Sequence, residues 1–398
     1  MTINKYLIIN PGSASKKYAF FIDQSSVYTA HFEKEDDNFV VTERIGDEKF
    51  KTVIEANDYQ ESLRWLIKSL KEADLIKSQA EINFSGIRIV ASGTYFYQHR
   101  LITPEYLAKA EESLAKTPLH LAPALEEVKK LREILGPEHL LVGVSDSAFH
   151  ASIPDVYRYY GIPIKDSRAY NIERFGYHGL SVQSVVKQAE KKLGSLPDKV
   201  IVCHLGGGAS VTAVKAGQSL NTTMGFTPLE GLLMATRVGD IDPGVVTYLM
   251  KQKNYGELEM RAYLNNQSGL LGLSGISDDI RGLLAVEDSQ ADARLALAVY
   301  VARIKQEIGR MAANLGGVDL LIFAGTVGER SFIMRGRIVA GLEFLGLELN
   351  QELNRQSEGV EVWLSSEQSR VKVLVAKTDE TLEIAQATQT VIDNLRGN

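Results

Sequence analysis

Four segments of the chain concentrate residue types that manage phosphate charge. The first, residues 10–17, reads Asn-Pro-Gly-Ser-Ala-Ser-Lys-Lys. Its backbone N–H groups, Ser13, Ser15 and Lys16 suit phosphate oxygens, with the Asn10 amide at a strand end, although Asn-Pro-Gly is equally plain β-turn chemistry. The second, residues 204–210, reads His-Leu-Gly-Gly-Gly-Ala-Ser. Its successive glycines either let a ligand approach the main chain or form a structural bulge. The third joins residues 224–231 to Thr236-Arg237-Val238-Gly239-Asp240-Ile241-Asp242-Pro243. An arginine flanked by glycine and aspartates suits a guanidinium held for a carboxylate or phosphate, or a surface ion pair. The fourth, Arg174-Phe175-Gly176-Tyr177-His178-Gly179, offers a histidine that donates to developing charge or serves the core. Asp146 and Glu380 add carboxylates just past expected strand ends, where open α/β sheets bind ligands. Together these features favour metal-assisted phosphoryl transfer. The common alternatives are missing: there is no Gly-Lys dipeptide for a P-loop, no H-E-x-x-H and no G-x-S-x-G. Val211 stands where a dinucleotide fingerprint needs its third glycine.

Positioning such groups requires strands that end at them. Apolar, β-branched runs at residues 6–9 and 18–22 flank the first segment, and runs at 200–203 and 211–215 flank the glycine segment. Two strand–turn–strand copies half a chain apart predict an internally duplicated fold. Further buried strands are expected at 140–144 and at 319–323, the latter feeding a glycine turn at 324–328. Three- and four-residue apolar spacing predicts helices over 59–75, 104–114, 122–135, 291–315 and 380–395. Strands alternating with helices indicate α/β architecture, with a boundary near residue 150. The charge run 33–37 reads as a solvated hairpin edge.

Composition sets the class. At 398 residues the chain is long enough for two or three domains, and 44% hydrophobic with 24% charged residues is ordinary for a folded protein. Lys+Arg 44 against Asp+Glu 50, net charge −6, makes a poor partner for nucleic acid or an anionic membrane. The lone Cys203 excludes an intramolecular disulfide framework and suits a reducing compartment. With no signal-like N-terminus and no run long enough to span a bilayer, the expectation is a cytoplasmic protein.

In this order the segments resemble acetate kinase and its short-chain acyl kinase relatives, within the acetate and sugar kinase and actin superfamily. The most specific stretches are HLGGGASVTAVKAGQSLNTTMGFTPLEGLLMATRVGDIDP, SGLLGLSGISDDIR, ERFGYHGLS and GVDLLIFAGTVGER, and the resemblance covers essentially the whole chain. It implies two duplicated actin/ribonuclease H-like α/β domains with a cleft between them, in a homodimer. Residues 1–150 with a returning C-terminal helix, 381–398, would form the acyl and Mg²⁺ side, and 151–380 the nucleotide-binding side. By the same resemblance Arg88 and Arg237 hold the acyl carboxylate and the transferring phosphoryl, His178 supports the transition state, Asp146 is the catalytic aspartate, and His120 is an active-site histidine. Asn10 and Glu380 correspond to groups near Mg²⁺, for which Mn²⁺ is an alternative. Lys17, His204, Gly206, Gly207 and Gly208 fall on the phosphate side of the nucleotide. Asp279, Ile280, Arg281, Gly325 and Gly328 fall where adenosine is held, and Val90, Leu119, Tyr177 and Pro228 line the acyl pocket. The implied reaction is reversible transfer from ATP to acetate or propionate, giving an acyl phosphate and ADP. A pyrophosphate-dependent acyl kinase and a catalytically silent nucleotide-binding relative are the alternatives.

The chain departs from the family pattern in places. After Arg88 relatives usually continue with a histidine, two glycines and a glutamate, whereas this chain reads Val90-Ala91-Ser92-Gly93-Thr94. Tyr177 stands for the usual pocket phenylalanine, Thr326 for a common glycine and Arg330 for an asparagine.

Overall fold

The computed structural model describes residues 3–12, 15–35 and 37–397, so Ser13 and one carboxylate of the charge run, Asp36, lie outside the described residues. By backbone contacts the chain divides into one unit of residues 1–148 with 380–398, and a second of 149–379.

The first unit carries a sheet of eight strands: β1 (Lys5–Pro11), β2 (Ser15–Ile22), β3 (Ser25–Glu35), β4 (Asn38–Ile45), β5 (Glu48–Ile54), β6 (Phe84–Ile89), β7 (Arg100–Leu101) and β8 (Leu140–Ser145). Their order is β5-β4-β3-β2-β1-β6-β8-β7. The second unit carries β9 (Lys199–Leu205), β10 (Ala209–Lys215), β11 (Gln218–Thr222), β12 (Leu320–Ala324), β13 (Val362–Trp363) and β14 (Lys372–Val375), in the order β11-β10-β9-β12-β14-β13. The same plan occurs twice. An antiparallel meander, β1-β2-β3 or β9-β10-β11, continues through two parallel strands, β6 and β8 or β12 and β14, to a short antiparallel edge, β7 or β13. The parallel strands are short apolar runs buried on both faces, as in β12, where every residue is buried, because helices cover the sheet.

Most of the expected elements form, and three differ. Residues 59–75 do not make one helix: Ala56–Gln60 and Ser62–Glu72 are separate, with Glu61 outside helical geometry (φ −93°, ψ 28°). There the carbonyls of Tyr59 and Gln60 accept from Lys16 Nζ at 3.4 Å and Lys130 Nζ at 2.5 Å, so lysines on other elements take acceptors a continuous helix would use. The helix expected from residue 122 starts earlier, at Pro118, and retains Pro123 inside it. After Phe323 the glycine stretch is the opening of the helix Gly325–Arg330 rather than a free turn. Among the described residues, no helix is long and apolar enough to cross a membrane.

The last helix, Glu380–Arg396, packs on the first unit's sheet at β1, β6 and β8. Its seat depends on Gly86, where a Cβ would lie 1.9 Å from Thr388 Oγ1 and 3.1 Å from Ile8 Cδ1. Gly86→Ala is therefore expected to destabilise the protein by about 1–3 kcal/mol, the usual cost of overpacking. An unchanged urea midpoint would show that the helix is not held this way.

Candidate active site

In the first unit the chemistry gathers at the carboxyl ends of the parallel strands, the usual ligand edge of an open α/β sheet. Asn10 lies near the end of β1, Arg88 is the penultimate residue of β6, and Asp146 follows β8 directly, with Ile89 and Ser145 in register. Arg88 makes a two-pronged contact with the fully buried Asp146: Nε donates to Oδ1 and Nη2 to Oδ2, both at 3.1 Å. Its Nη1 donates to Asn10 Oδ1 at 3.4 Å and stands 3.7 Å from Glu380 Oε2. Asn10 Nδ2 donates to the same Glu380 oxygen at 2.8 Å. Burial opposes the Arg88 charge, but the Asp146 and Glu380 carboxylates outweigh it and push its pKa up. Glu380 opens the helix Glu380–Arg396, whose N-terminal dipole favours a negative charge there. Behind Asp146 the backbone N–H of Ser145 donates to His99 Nδ1 at 3.1 Å, which sets the acceptor nitrogen of that ring. His99 escaped the sequence reading, because only the pairing of β7 with β8 brings it beside Ser145, far from it in the chain.

The other residues expected in this unit are more spread. Val90 is buried just past β6, whereas Leu119 and His120 sit in the first turn of the helix Pro118–Leu135, with Leu119 44% exposed. Lys17 is exposed on β2, opposite Asn10 and His31 on the neighbouring strands.

The second unit places a different cluster at the equivalent edge. β9 ends in His204-Leu205 and runs into Gly206-Gly207-Gly208, while Ala324, the last residue of β12, pairs in register with His204. None of these three glycines has left-handed backbone. A Cβ on Gly207 would meet nothing within 4 Å, so the space beside its backbone is open. A Cβ on Gly208 would approach His178 Nε2 at 3.3 Å and Arg237 Nη1 at 3.6 Å, which places both side chains over the loop. His178 caps the helix Gly179–Leu193 in left-handed geometry (φ 61°, ψ 20°), a conformation that costs a non-glycine residue roughly 1 kcal/mol and tends to persist at functional sites. Its Nδ1 meets Ser210 Oγ at 3.0 Å, and its ring lies 4.2 Å from that of His204, whose Nδ1 meets Ser181 Oγ at 2.6 Å.

Arg237 contrasts with Arg88. Among the described residues no carboxylate pairs with it: Nη1 donates to the Pro228 carbonyl at 3.3 Å and approaches Met234 Sδ at 3.8 Å. The flanking aspartates, expected to steady it, are used elsewhere. Asp240 accepts from the Gly231 N–H at 2.8 Å, and Asp242 caps the helix Pro243–Lys253 through the Gly244 N–H at 2.7 Å. Burial lowers the Arg237 pKa with no carboxylate to offset it, so an anion arriving there gains a desolvated partner. Tyr177 is buried, and its hydroxyl donates to the Phe226 carbonyl at 2.9 Å.

Asp279 and Arg281 pair with each other, Nη2 to Oδ2 at 2.6 Å, and Asp279 also caps the helix Ile280–Val286, in which Ile280 is buried. That pairing holds the Asp279 carboxyl below the usual range. Gly325 (φ 74°) is required where it stands, since a Cβ would lie 2.7 Å from the Leu205 carbonyl oxygen, and Gly328 is buried one turn on. Thr326 and Arg330 face solvent on that helix, and the Thr326 backbone nitrogen would be 3.9 Å from a Cβ on Gly206.

Comparison with known proteins gives one consistent result. The family model of the acetokinase family matches residues 5–386. The chain is 38% identical over 403 residues to the acetate kinase of Thermoanaerobacterium thermosaccharolyticum, covering 98% of this chain and 100% of the relative. Among solved structures it is similar to a propionate kinase from Francisella tularensis subsp. tularensis (TM-score 0.88, 33% identity) and to Porphyromonas gingivalis acetate kinase (TM-score 0.85, 34% identity). Each comparison covers 98% of this chain and 100% of the other. With a two-unit α/β fold, a shared plan in both sheets and similarity along nearly its whole length to proteins of one family, the chain belongs to the acetokinase family.

Proposed function

We propose that this protein transfers the γ-phosphoryl group of ATP to a short carboxylate, acetate or propionate, yielding the acyl phosphate and ADP. The observation that carries the reading is Arg237, a largely buried guanidinium with no carboxylate partner among the described residues, set beside His178 over an open glycine loop. A carboxylate acceptor is already nucleophilic, so the chemical obstacle is bringing two anions together. Arg237 and His178 would take the phosphoryl charge and Arg88 the acyl carboxylate, while Asp146 holds the Arg88 fork in orientation and abstracts no proton. His120 supports the same site by resemblance. Gly206, Gly207 and Gly208 with His204 and Lys17 would face the phosphates, and Asp279, Ile280, Arg281, Gly325 and Gly328 the adenosine. On this reading the unit of residues 149–379 is the nucleotide-binding domain expected over 151–380, and residues 1–148 with 380–398, Glu380 included, the acyl and metal side expected over 1–150 with 381–398.

Among the described residues no group of three or more His, Cys, Asp or Glu side chains is placed to hold a metal. Mg²⁺ keeps waters and substrate phosphates and is bound through only one or two carboxylates. Glu380 is the fitting ligand, and Asn10 presents its amide nitrogen to that carboxylate, fixing it. Mg²⁺, or Mn²⁺ in its place, would supply neutralisation of the phosphate oxygens.

Trapping acyl phosphate with hydroxylamine tests the reaction and the donor together. Equal concentrations of ATP, GTP and pyrophosphate, each with Mg²⁺, are expected to give product chiefly with ATP. The pyrophosphate reading draws on one observation, that Asp279 and Arg281 are occupied with each other. Pyrophosphate matching ATP, together with unchanged activity in Asp279→Ala, would establish it, and no product with any donor would leave a silent nucleotide binder. For the acceptor, a pocket walled by Val90, Leu119, Tyr177 and Pro228 is expected to admit acetate and propionate and to reject butyrate, at about 1–3 kcal/mol per methylene. Butyrate exceeding acetate in kcat/KM would show these walls to be misassigned.

A homodimer, implied by the resemblance, is proposed, with one surface of the second unit as its candidate interface. The helix Pro243–Lys253 has no buried residue, yet it carries Val245 and Tyr248, the latter 62% exposed. A second copy is the proposed partner for this face. Light scattering should return twice the 43.9 kDa chain mass. The lone, buried Cys203 fits a reducing cytoplasm.

A further inference from the structure

The peptide groups of Phe226 are gripped on both sides. Tyr177 Oη donates to the Phe226 carbonyl at 2.9 Å, and the Phe226 N–H donates to Tyr160 Oη at 2.7 Å. The Tyr160 hydroxyl in turn donates to Glu230, whose other oxygen accepts from Arg174 Nη2. Arg174 is itself fastened through Nη1 to the carbonyls of Thr222 and Thr223, at 3.1 and 3.0 Å. Gly225 fits this node because it has no side chain: a Cβ there would lie 1.7 Å from Glu230 Oε2 and 2.2 Å from Tyr160 Oη. Two residues past Phe226 is Pro228, whose carbonyl is the hydrogen-bond acceptor recorded for Arg237 at 3.3 Å. A guanidinium without a carboxylate partner owes its direction to such contacts, so fixing the 225–230 loop fixes Arg237.

We propose that Tyr160, acting with Glu230 and Tyr177 through the peptides of Phe226, is a positioning residue for Arg237. The inference rests on the reading that Arg237 binds the transferring phosphoryl group. Neither Tyr160 nor Glu230 touches the reacting atoms. Their hydrogen bonds hold the Pro228 carbonyl where Arg237 Nη1 donates, leaving the remaining guanidinium N–H groups for the anion.

The test is a double-mutant cycle between Tyr160→Phe and Arg237→Lys, since residues acting through one another lose additivity. In the wild-type background Tyr160→Phe is expected to lower kcat about tenfold, with the KM for ATP nearly unchanged, the signature of a lost transition-state interaction. In the Arg237→Lys background, where no guanidinium remains to be aimed, the same substitution should cost less than about twofold. Gly225→Ala, which disturbs the node without removing a hydrogen-bonding group, should repeat the pattern. An equal loss in both backgrounds, or no loss in Tyr160→Phe, overturns the proposal. The affinity of each variant for inorganic phosphate, measured by calorimetry, reads the same cycle without turnover. A wild-type protein that makes no acyl phosphate but shows non-additive phosphate binding would refute the reaction and keep the clamp, while additive binding would refute the clamp alone.

Discussion

Replacing Arg237 with alanine should lower kcat/KM by about 2–5 kcal/mol, with most of the loss in kcat, as expected when a desolvated charge that acts on the transition state is deleted. The size of the effect follows from its surroundings. Among the described residues Arg237 has no carboxylate to share its charge, and burial already disfavours that charge, so on the proposed reading its compensation would arrive with the anion. Arg237→Lys should recover only part of the loss, because an ammonium cannot keep the Pro228 contact and present a planar pair of N–H groups at once. Steady-state kinetics of both variants decide the matter, and near-wild-type turnover in Arg237→Ala would remove this residue from the mechanism.

Asp146→Asn should reduce kcat/KM by a similar 2–5 kcal/mol without changing the shape of the pH–rate profile. Asp146 is fully buried, and its carboxylate meets both Nε and Nη2 of Arg88 at 3.1 Å. An asparagine of the same size must turn an N–H₂ group toward one of those donors. The fork then opens, and Arg88 loses the partner that sustains its charge while Glu380 remains 3.7 Å away. A carboxylate acceptor needs no proton removed, so the acid limb of the profile belongs to other groups and should persist in the variant. Disappearance of that limb in Asp146→Asn would assign the aspartate to proton transfer instead.

Read alone, the sequence determined what depends on short-range pattern and backbone chemistry. Alternating and continuous apolar runs marked β1, β2, β8, β9, β10 and β12, and the apolar spacing over 104–114 and 291–315 matches the helices Pro104–Leu114 and Ala291–Leu315. The two strand–turn–strand copies reported the duplicated plan, because each copy satisfies its own hairpin locally. His178, Arg237 and the glycine loop stood out in the sequence by residue type, each with a structural alternative beside the functional one. What the sequence could not carry is who pairs with whom across long separations. Arg88 finds Asp146 and Glu380 only when β1, β6, β8 and the returning helix converge. By contrast Arg237, flanked by two aspartates in sequence, pairs with neither, since Asp240 and Asp242 are claimed by backbone N–H groups of their own loops. The break at Glu61 likewise depends on lysines from β2 and the helix Pro118–Leu135 reaching the carbonyls of Tyr59 and Gln60. Tertiary structure decided each of these because charged and hydrogen-bonding groups take the partner that folding brings within about 3 Å, and chain neighbours hold no precedence once backbone donors have been satisfied.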